Sequence, residues 1–500
     1  MTRAKKLIFN TLTPIIVQVL TVLSGLILPS LRLACYGSEV NGMISSITQF
    51  LSLISFLELG VGAVVRSALY KPLADNDTVE VSKIITSAQK FFSKLAYILL
   101  VYIAFLCIVY PIVVSTHFNS IYIITLILAS SINLFAQYYF GIVNRLLLTA
   151  DQRGYIQYTL QAITIVLNFI IWIVLIKCNA PVQLVVLGSS LVYLISPVYM
   201  KVYVDRFYKV NRHERYDTEP IVQKWNGLAQ HIAAIVLDYT DTIVLSLFAS
   251  LTDVSIYSMY QLVVINIKNM YLAAMNGVQA LMGDMIARKE KERLEGFFGL
   301  VEWITHTVTV LIFGCVLVLL VPFVVTYTRN ITDANYYQPI FCFLLVIAYT
   351  AYCIRVPYNI AILAAGHYKQ TQHIFIIAAI MNLSISIIMV KHFGLIGVAI
   401  GTLIAMIYQT LHMVYYLSKN ILNWPIRIFV KQVFVDVLSM VIGYFATSWI
   451  KISNLNFGVW FIMAVEVFAI WFVICLLINA VFYRRYLIRL KQLIQRKIVR

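Results

Sequence analysis

The sequence predicts an all-α integral membrane protein, with about 14 transmembrane helices in two six-helix lobes related by pseudo-twofold symmetry, plus two C-terminal helices. Three observations predict this architecture: the composition, the recurring apolar runs and an internal repeat. Of the 500 residues, 61% are hydrophobic and 12% are charged, whereas soluble domains carry about 25% charged residues. Runs of the roughly 20 apolar residues that cross a bilayer recur along the chain. A soluble globular domain is therefore excluded.

The apolar runs set the predicted helices one by one. They lie at 7–33, 40–65, 91–114, 121–148, 156–177, 182–204, 226–249, 254–287, 297–328, 336–362, 372–390, 395–418, 428–450 and 458–482. The start MTRAKKLIFN imitates a signal peptide, but the apolar stretch after it is too long and has no clean cleavage site. We therefore expect a retained first helix. Pro14 and Pro29 interrupt it and Pro357 interrupts helix ten, each either as a break in a helix that lines a cavity or as a simple packing kink.

The distribution of positive charge predicts the orientation. The formal net charge is +17, and Lys and Arg are concentrated in alternate connections, which the positive-inside rule places in the cytoplasm together with both termini. The opposite side holds Arg32, Lys177, Arg329, Lys391 and Lys451. This pattern explains the basic charge without a nucleic-acid partner. The basic tail at 483–500 is expected to lie on anionic membrane lipids.

An internal repeat predicts the two lobes. Asn168 and Lys177 are matched by Asn382 and Lys391 at an offset of 214 residues, and repeats of this kind locate the substrate path in transporters. The predicted parts are an N-terminal six-helix lobe at 1–210, a charged linker at 205–220, a C-terminal six-helix lobe at 221–420, two additional helices at 428–482 and the tail at 483–500. Paired lobes with a central cleft are typical of alternating access.

Four cations in or near the helices are candidate ligands for an anionic substrate: Arg66, Lys268, Arg355 and Arg32. A charge at a helix centre costs roughly 2.5–3.5 kcal/mol on insertion scales, so it indicates function. Lys268 and Arg355 lie in mid-helix, and a cavity lined by cations would bind phosphate or pyrophosphate. Arg66 and Arg32 lie nearer to helix ends, where snorkelling to the interface explains them equally well.

Acidic residues form a second candidate set. His231, Asp238 and Asp241 share one face of helix seven. That face is either a proton or sodium coupling site or a set of partners that neutralises cations across the cleft. Glu58, eight residues before Arg66, is most simply a salt-bridge partner for a cation on another helix.

Catalytic and metal-binding motifs are absent from the sequence. It contains no GxxxxGK[ST] phosphate loop and no HExxH, GxSxG or CxxC pattern in a plausible context. The seven cysteines give neither a metal site nor a disulfide framework. We expect a protein that is not an enzyme, with no cofactor other than a coupling H⁺ or Na⁺.

Three segments resemble the Wzx-type polysaccharide flippases of the multidrug/oligosaccharidyl-lipid/polysaccharide exporter superfamily. They are YGSEVNGMISSITQFLSLISFLELGVGAVVRSALYKPLA at 36–74, DYTDTIVLSLF at 238–248 and GDMIARKEKE at 283–292. The resemblance implies a bacterial cytoplasmic membrane protein that exports undecaprenyl-pyrophosphate-linked repeat units for capsule, exopolysaccharide or O-antigen. It further implies that Arg66, Lys268 and Arg355 meet the diphosphate, that the last two helices cradle the polyprenyl chain, and that other polysaccharide-assembly proteins are partners.

Three other functions remain open at this stage. A drug/cation antiporter of the same superfamily would have an anionic, aromatic-walled cavity, which the excess of intramembrane cations disfavours. A membrane saccharide polymerase would need a sizeable outer loop, and the predicted outer connections are short. A non-transporting assembly scaffold is compatible with the sequence.

Overall fold

The computed structural model describes residues 3–54, 61–114, 117–220, 228–450 and 456–488, except for some side chains within these ranges, among them those of 3–8 and 228–235. The helices are α1 Arg3–Ser52, α2 Val61–Ala74, α3 Thr78–Val113, α4 Ser120–Ala136, α5 Ile142–Ala150, α6 Gly154–Lys177, α7 Val182–Phe207, α8 Leu228–Phe248, α9 Leu251–Ala287, α10 Lys291–Tyr327, α11 Pro339–Ala364, α12 Tyr368–Phe393, α13 Leu395–Asn420, α14 Ile426–Thr447 and α15 Phe457–Phe482. A π-helical turn, Gln137–Gly141, joins α4 to α5.

The chain is a multi-pass membrane protein. Within the described ranges, 11 helical segments are long and apolar enough to cross a membrane, and the all-α fold class is confirmed. The total of 14 spans and the symmetry between lobes stay predictions. Many large apolar side chains are exposed on the helix surfaces, as expected for helices that are surrounded by lipid rather than by water.

Two compact units make up the chain. The first comprises 1–235 with 250–255, and the second comprises 236–249 with 256–500. In the first, α1, α4, α6 and α7 pack around a common interior. In the second, α11 is the most enclosed of the candidate spans. In its most apolar stretch 61% of the residues are buried inside the protein, whereas in that of α15 only 22% are buried. The side chains of α11 are thus the best shielded from lipid.

Prolines interrupt the helices less than the sequence suggests. Pro14 and Pro29 lie inside α1 and Pro357 lies inside α11, and each helix continues past them. Of the two interpretations, a break in the helix is therefore wrong at all three prolines. A helix in lipid keeps its remaining backbone hydrogen bonds because no water is present to replace them. The kink in α1 falls instead at Gly37, whose φ of 80° is a left-handed conformation that glycine adopts without steric cost.

Left-handed turns recur along the chain with the spacing of the sequence repeat. The positive-φ residues Asn76, Gln152 and Asn179 are followed 213 to 215 positions later by Lys289, Gly366 and Gly394. Each of the six lies in a short connection between two helices. The same local chain reversal is therefore used at equivalent points of both halves of the sequence, although four of the six positions are not glycine.

The last two helices, α14 and α15, pack mainly on α10. The indole of Trp471 in α15 is fully buried, and it lies where a β-carbon on Gly314 of α10 or Gly443 of α14 would collide with it. Trp303 of α10 also donates a hydrogen bond of 2.7 Å to the side-chain oxygen of Asn479 in α15. Shape and hydrogen bonding together attach the C-terminal pair to the second unit.

A buried polar network reinforces this attachment. The carboxylate of Glu302 in α10 accepts hydrogen bonds from the Tyr358 hydroxyl, from the indole N–H of Trp424 at 3.0 Å and from the Gln432 amide at 3.4 Å. One turn further along α10, His306 Nδ1 lies 2.5 Å from an oxygen of Asp436 in α14. These contacts tie α10 to α11, to α14 and to the connection before α14.

The segment after α7, predicted as a charged linker, is folded against the first unit. The Tyr208 hydroxyl donates to Asp151 at 2.5 Å, and the Arg212 guanidinium donates to the Asn144 side chain at 2.9 Å. The backbone of Asn211 receives a further bond of 3.2 Å from Thr86, and Glu219 accepts one from a serine of α3. Burial and the Asp151 carboxylate raise the pKa of Tyr208, so the phenol keeps the proton that it donates.

Candidate functional site

Two of the predicted cations, Lys268 and Arg355, meet in the interior of the second unit. Lys268 Nζ lies 4.8 Å from the centre of the Tyr352 ring, and the Arg355 guanidinium carbon lies 4.6 Å from the same point. The two residues are only 6% and 5% exposed. We call Lys268, Arg355 and Tyr352 the cation pair site. It joins α9 to α11 through one aromatic ring.

The Tyr352 ring offsets part of the repulsion between the two cations. Because both lie within 5 Å of one ring centre, their charges are at most about 10 Å apart, so they repel by at least about 1–2 kcal/mol at an effective dielectric constant of 20. Each cation–ring contact returns about 0.5–2 kcal/mol. The pair concentrates basic side chains inside the bundle.

The guanidinium of Arg355 is held in place by α13. It donates to the side-chain oxygen of Gln409 and approaches the sulfur of Met406 at 3.7 Å. A buried guanidinium needs such acceptors because its five N–H groups lose their water. Since Gln409 is fully buried, the orientation of Arg355 is set by packing rather than by solvent.

The polar residues near Lys268 in the sequence are not the ones that the structure places at the cation pair site. Asn266, two residues before Lys268, donates back to the Leu262 carbonyl of its own helix at 2.7 Å, and Asn269 is exposed. The aromatic ring that Lys268 contacts belongs to α11, and only the tertiary structure brings it next to the lysine.

Arg32 and Arg66 belong to the first unit. Arg32 Nε donates to the Asn41 side chain at 2.5 Å, and Asn41 in turn donates to the Ser255 hydroxyl at 2.6 Å. Arg66 lies in α2 and is partly exposed. The cation pair site therefore contains half of the four predicted substrate ligands, and the other two lie in a separate compact unit.

Asp241 in α8 is the centre of a second buried polar cluster. Its carboxylate is 3% exposed and accepts hydrogen bonds from Tyr257 at 2.8 Å, from Asn382 at 3.2 Å and from the Thr402 hydroxyl at 2.5 Å. The side-chain oxygen of Asn382 is itself buried without a hydrogen-bond partner. We call Asp241, Tyr257, Asn382 and Thr402 the Asp241 cluster. Two hydroxyl groups and one amide N–H, from three other helices, surround this carboxylate.

Three predicted residues cannot be placed in either cluster. The side chains of His231 and Asp238 and the whole of Glu58 lie outside the described part of the chain. The shared face of His231, Asp238 and Asp241 therefore stays a prediction. Among the described residues, no group of three or more His, Cys, Asp or Glu side chains could hold a metal ion.

Comparison with solved structures identifies the fold. The sequence matches no protein-family model and no curated protein. The structure matches the lipid II flippase MurJ in an inward closed conformation, with a TM-score of 0.70 and 15% identity over 96% of this chain and 100% of that one. The chain has the fold of this flippase.

Multidrug transporters share much of the same fold. An inward-facing multidrug resistance MATE-family transporter of the MOP superfamily gives a TM-score of 0.57 with 14% identity, over 80% of this chain and 94% of that one. The Vibrio cholerae MATE transporter VcmN in its bent form gives 0.56 with 14% identity, over 83% and 96%. The fold expected for the superfamily is confirmed, and the Wzx-type family within it stays a prediction.

Sequence reasoning missed Gln409, Tyr257 and Thr402, which complete the two clusters. Thr402 and Gln409 lie in α13 and Tyr257 lies in α9. Each is one uncharged polar residue among several in its helix, so only its three-dimensional neighbours distinguish it. Asn382 did carry a signal, because it is paired with Asn168 in the repeat. Both asparagines are buried, with Asn168 3% exposed and Asn382 fully buried.

Proposed function

We propose that this chain is a flippase that moves undecaprenyl-pyrophosphate-linked oligosaccharide repeat units from the inner to the outer leaflet of the cytoplasmic membrane, for capsule, exopolysaccharide or O-antigen synthesis. The supporting observation is the extent of the match to the lipid II flippase. A match over 96% of 500 residues leaves about 20 unmatched, so it reaches into the α14–α15 pair at 426–482. The two MATE transporters match 80% and 83% of the chain.

The cation pair site supplies the charge that this function needs. A diphosphate carries its negative charge on oxygen atoms that a guanidinium can contact with two parallel hydrogen bonds, while an ammonium adds a compact point charge. We assign Arg355 and Lys268 to the diphosphate. In the absence of substrate, Gln409 and Tyr352 are the contacts that hold these two side chains. Arg66 and Arg32 are further candidate ligands in the first unit.

The Asp241 cluster is the proposed coupling site. Carboxylate and hydroxyl groups are hard oxygen ligands of the kind that a small cation prefers, and the hydroxyls of Tyr257 and Thr402 lie against the Asp241 carboxylate. A proton on Asp241 is the alternative occupant. Either cation would be bound in one state of the transport cycle and released in the other, so that an ion gradient drives the substrate in one direction.

The decisive experiment is leaflet-resolved translocation in proteoliposomes. The purified chain is reconstituted with a fluorescent undecaprenyl-diphosphate oligosaccharide, and the outward-facing fraction is followed by lectin quenching. We expect translocation that an imposed Na⁺ or H⁺ gradient accelerates.

Three controls give the opposing outcomes. Empty liposomes set the spontaneous rate, and undecaprenyl phosphate without sugar tests whether the headgroup is needed. Efflux of ethidium by the same proteoliposomes, without movement of lipid-linked oligosaccharide, would replace the flippase assignment with that of a drug antiporter.

A further inference from the structure

Two adjacent cavities lie inside the first unit, apart from both clusters described above. One has a volume of about 370 Å³ and the other about 270 Å³, and both are lined by Asn133 of α4 and Tyr193 of α7. Helix α6 contributes Gln161 to the first and Asn168 to the second. Cavities of about 300–1,000 Å³ are typical of small-molecule sites. The space suits a ligand of one or two sugar rings.

The lining of these cavities is unusual for the interior of a membrane bundle. Amide side chains are concentrated there, since Gln137 and Gln157 join Asn133, Gln161 and Asn168. The charged lining residues are both cations, Arg145 in the first cavity and Arg32 in the second, and none is acidic. Polar side chains in such a place cost several kcal/mol unless they find hydrogen-bond partners. Some partner other than lipid is therefore required along this wall.

Part of the hydrogen-bonding capacity is unused by the protein. Asn168 is 3% exposed, and its amide nitrogen donates weakly to the Tyr193 hydroxyl at 3.4 Å. Its side-chain oxygen has no hydrogen-bond partner, and neither does that of Asn133. A buried acceptor left without a donor costs about 1–3 kcal/mol. Both oxygens would accept from a ligand that carries hydroxyl or amide N–H groups.

An aromatic surface accompanies these acceptors. The indole of Trp172 lines the second cavity together with Asn168 and Tyr193. An aromatic ring offers a flat apolar face beside its polar edge, and a pyranose ring offers one apolar face of C–H groups with hydroxyls around its rim. Amides, hydroxyls, an indole and two arginines thus match a saccharide better than an organic cation, which would need an acidic partner.

We propose that these two cavities form a saccharide pocket that holds one or two sugar units of the translocated headgroup. The assignment rests on the proposed flippase function and extends it. The pocket recognises the sugar, and it gives the protein a means to distinguish one repeat unit from another.

Cysteine protection tests the pocket directly. The background replaces Cys35, Cys107 and Cys178, the three cysteines that are not buried, with serine. Gln161→Cys then places a thiol in the first cavity. Thr159→Cys is the matched control, since Thr159 lies on the same helix but is exposed and lines a different cavity.

Membranes containing each variant are treated with a small methanethiosulfonate reagent. Two lipids are added in parallel: undecaprenyl diphosphate bearing the cell's own oligosaccharide, and undecaprenyl diphosphate without sugar. We expect the sugar-bearing lipid, at about ten times its Kd, to slow modification of the Gln161→Cys thiol about tenfold. The sugar-free lipid should have little effect, and the Thr159→Cys thiol should react equally in all cases.

Equal protection by both lipids, or by neither, would overturn the saccharide pocket. The translocation assay is read separately, so a wild-type chain that fails to move the lipid would refute the flippase function without altering the protection result.

The variant Asn168→Leu tests the pocket within the translocation assay. It should raise the lipid concentration for half-maximal translocation about tenfold, because one or two hydrogen bonds to the saccharide are lost. Wild-type behaviour of this variant also counts against the pocket.

Discussion

At the scale of single residues, Tyr352 explains how two cations coexist inside a membrane bundle. Lys268 and Arg355 both lie within 5 Å of its ring centre, and the ring quadrupole attracts each of them. The sequence predicted the cations because charges in apolar helices are rare and costly. Their shared ring could not be predicted, because it depends on how α9 and α11 face each other.

Substitution of Tyr352 separates the role of the ring from that of the hydroxyl. Tyr352→Phe keeps the aromatic face and should leave thermal stability in detergent close to that of the wild type. Tyr352→Leu removes the face and should destabilise the second unit by about 1–3 kcal/mol, since two cation contacts are lost. Thermal unfolding followed by tryptophan fluorescence measures both. Equal stability of the two variants would show that the ring does not hold the cations.

Removal of either cation should affect transport rather than insertion. Lys268→Ala and Arg355→Ala are each expected to reduce surface polysaccharide about tenfold or more, because a charge-assisted contact to the diphosphate is worth about 1.5–3 kcal/mol. Lys391→Ala is the control, since Lys391 is an exposed cation over the ring of Phe248. The readouts are cell-surface polymer and the amount of protein in the membrane. Normal polymer from both variants would remove these residues from the mechanism.

At the scale of helices, the contact of Trp471 with two glycines decides how the C-terminal pair is attached. Gly314 and Gly443 leave space that the indole occupies, and Val310, Cys315, Met463 and Val467 surround it. Hydropathy predicted α14 and α15 as helices. It could not predict that they pack on α10, because a small residue beside a large one is visible only after the helices are paired.

Glycine-to-alanine exchanges test this attachment. Gly443→Ala puts a methyl group against Trp471 and should lower stability by about 1–3 kcal/mol through overpacking. Gly283→Ala adds the same methyl group where nothing lies within 4 Å, and alanine favours a helix over glycine by about 0.5–1 kcal/mol. Its melting temperature should equal or exceed that of the wild type. A Gly443→Ala protein as stable as Gly283→Ala would show that the indole is not tightly enclosed.

Helix existence was predicted better than helix interruption. The apolar runs located the helices because length and hydropathy determine whether a segment can enter a bilayer. A break was one of two interpretations of the prolines at 14, 29 and 357, and the helices continue through all three. Lipid supplies no competing hydrogen bonds, so a single missing N–H is cheaper than unwinding the turn. Similarly, the segment after α7 was predicted as a charged linker, yet the backbone carbonyl of Asn211 and the side chain of Arg212 hydrogen-bond to α3 and α5.

At the scale of the whole molecule, the proposed transport cycle couples the substrate to a small cation. The cation pair site and the Asp241 cluster both lie in the second unit, which also contains α14 and α15. The sequence predicted the acid, the repeat and the superfamily fold. It left open whether Asp241 neutralises a cation or receives an ion, and the hydroxyl and amide groups around the carboxylate favour the second role in our proposal.

Asp241→Asn should abolish the dependence of translocation on an ion gradient. The amide cannot take up a proton and binds Na⁺ more weakly, so we expect translocation down the lipid gradient to persist while stimulation by imposed Na⁺ or H⁺ gradients disappears. Asp253→Asn is the control, because Asp253 is partly exposed at the start of α9 and accepts a local hydrogen bond of 2.7 Å from the Ser250 hydroxyl. The assay is leaflet-resolved flipping with one gradient at a time. Persistent stimulation in Asp241→Asn would move the coupling site elsewhere.

The folding of 208–219 onto the first unit has a practical consequence for spectroscopy. Tyr208, Arg212 and Glu219 hydrogen-bond to α3, to α5 and to Asp151 directly after α5. We therefore expect this stretch to move together with the first unit. A spin label at the exposed position His213 should give a restricted spectrum and act as a reporter for the first unit. The distance between this label and a second spin label on α15 would then report the conformational changes of the transport cycle.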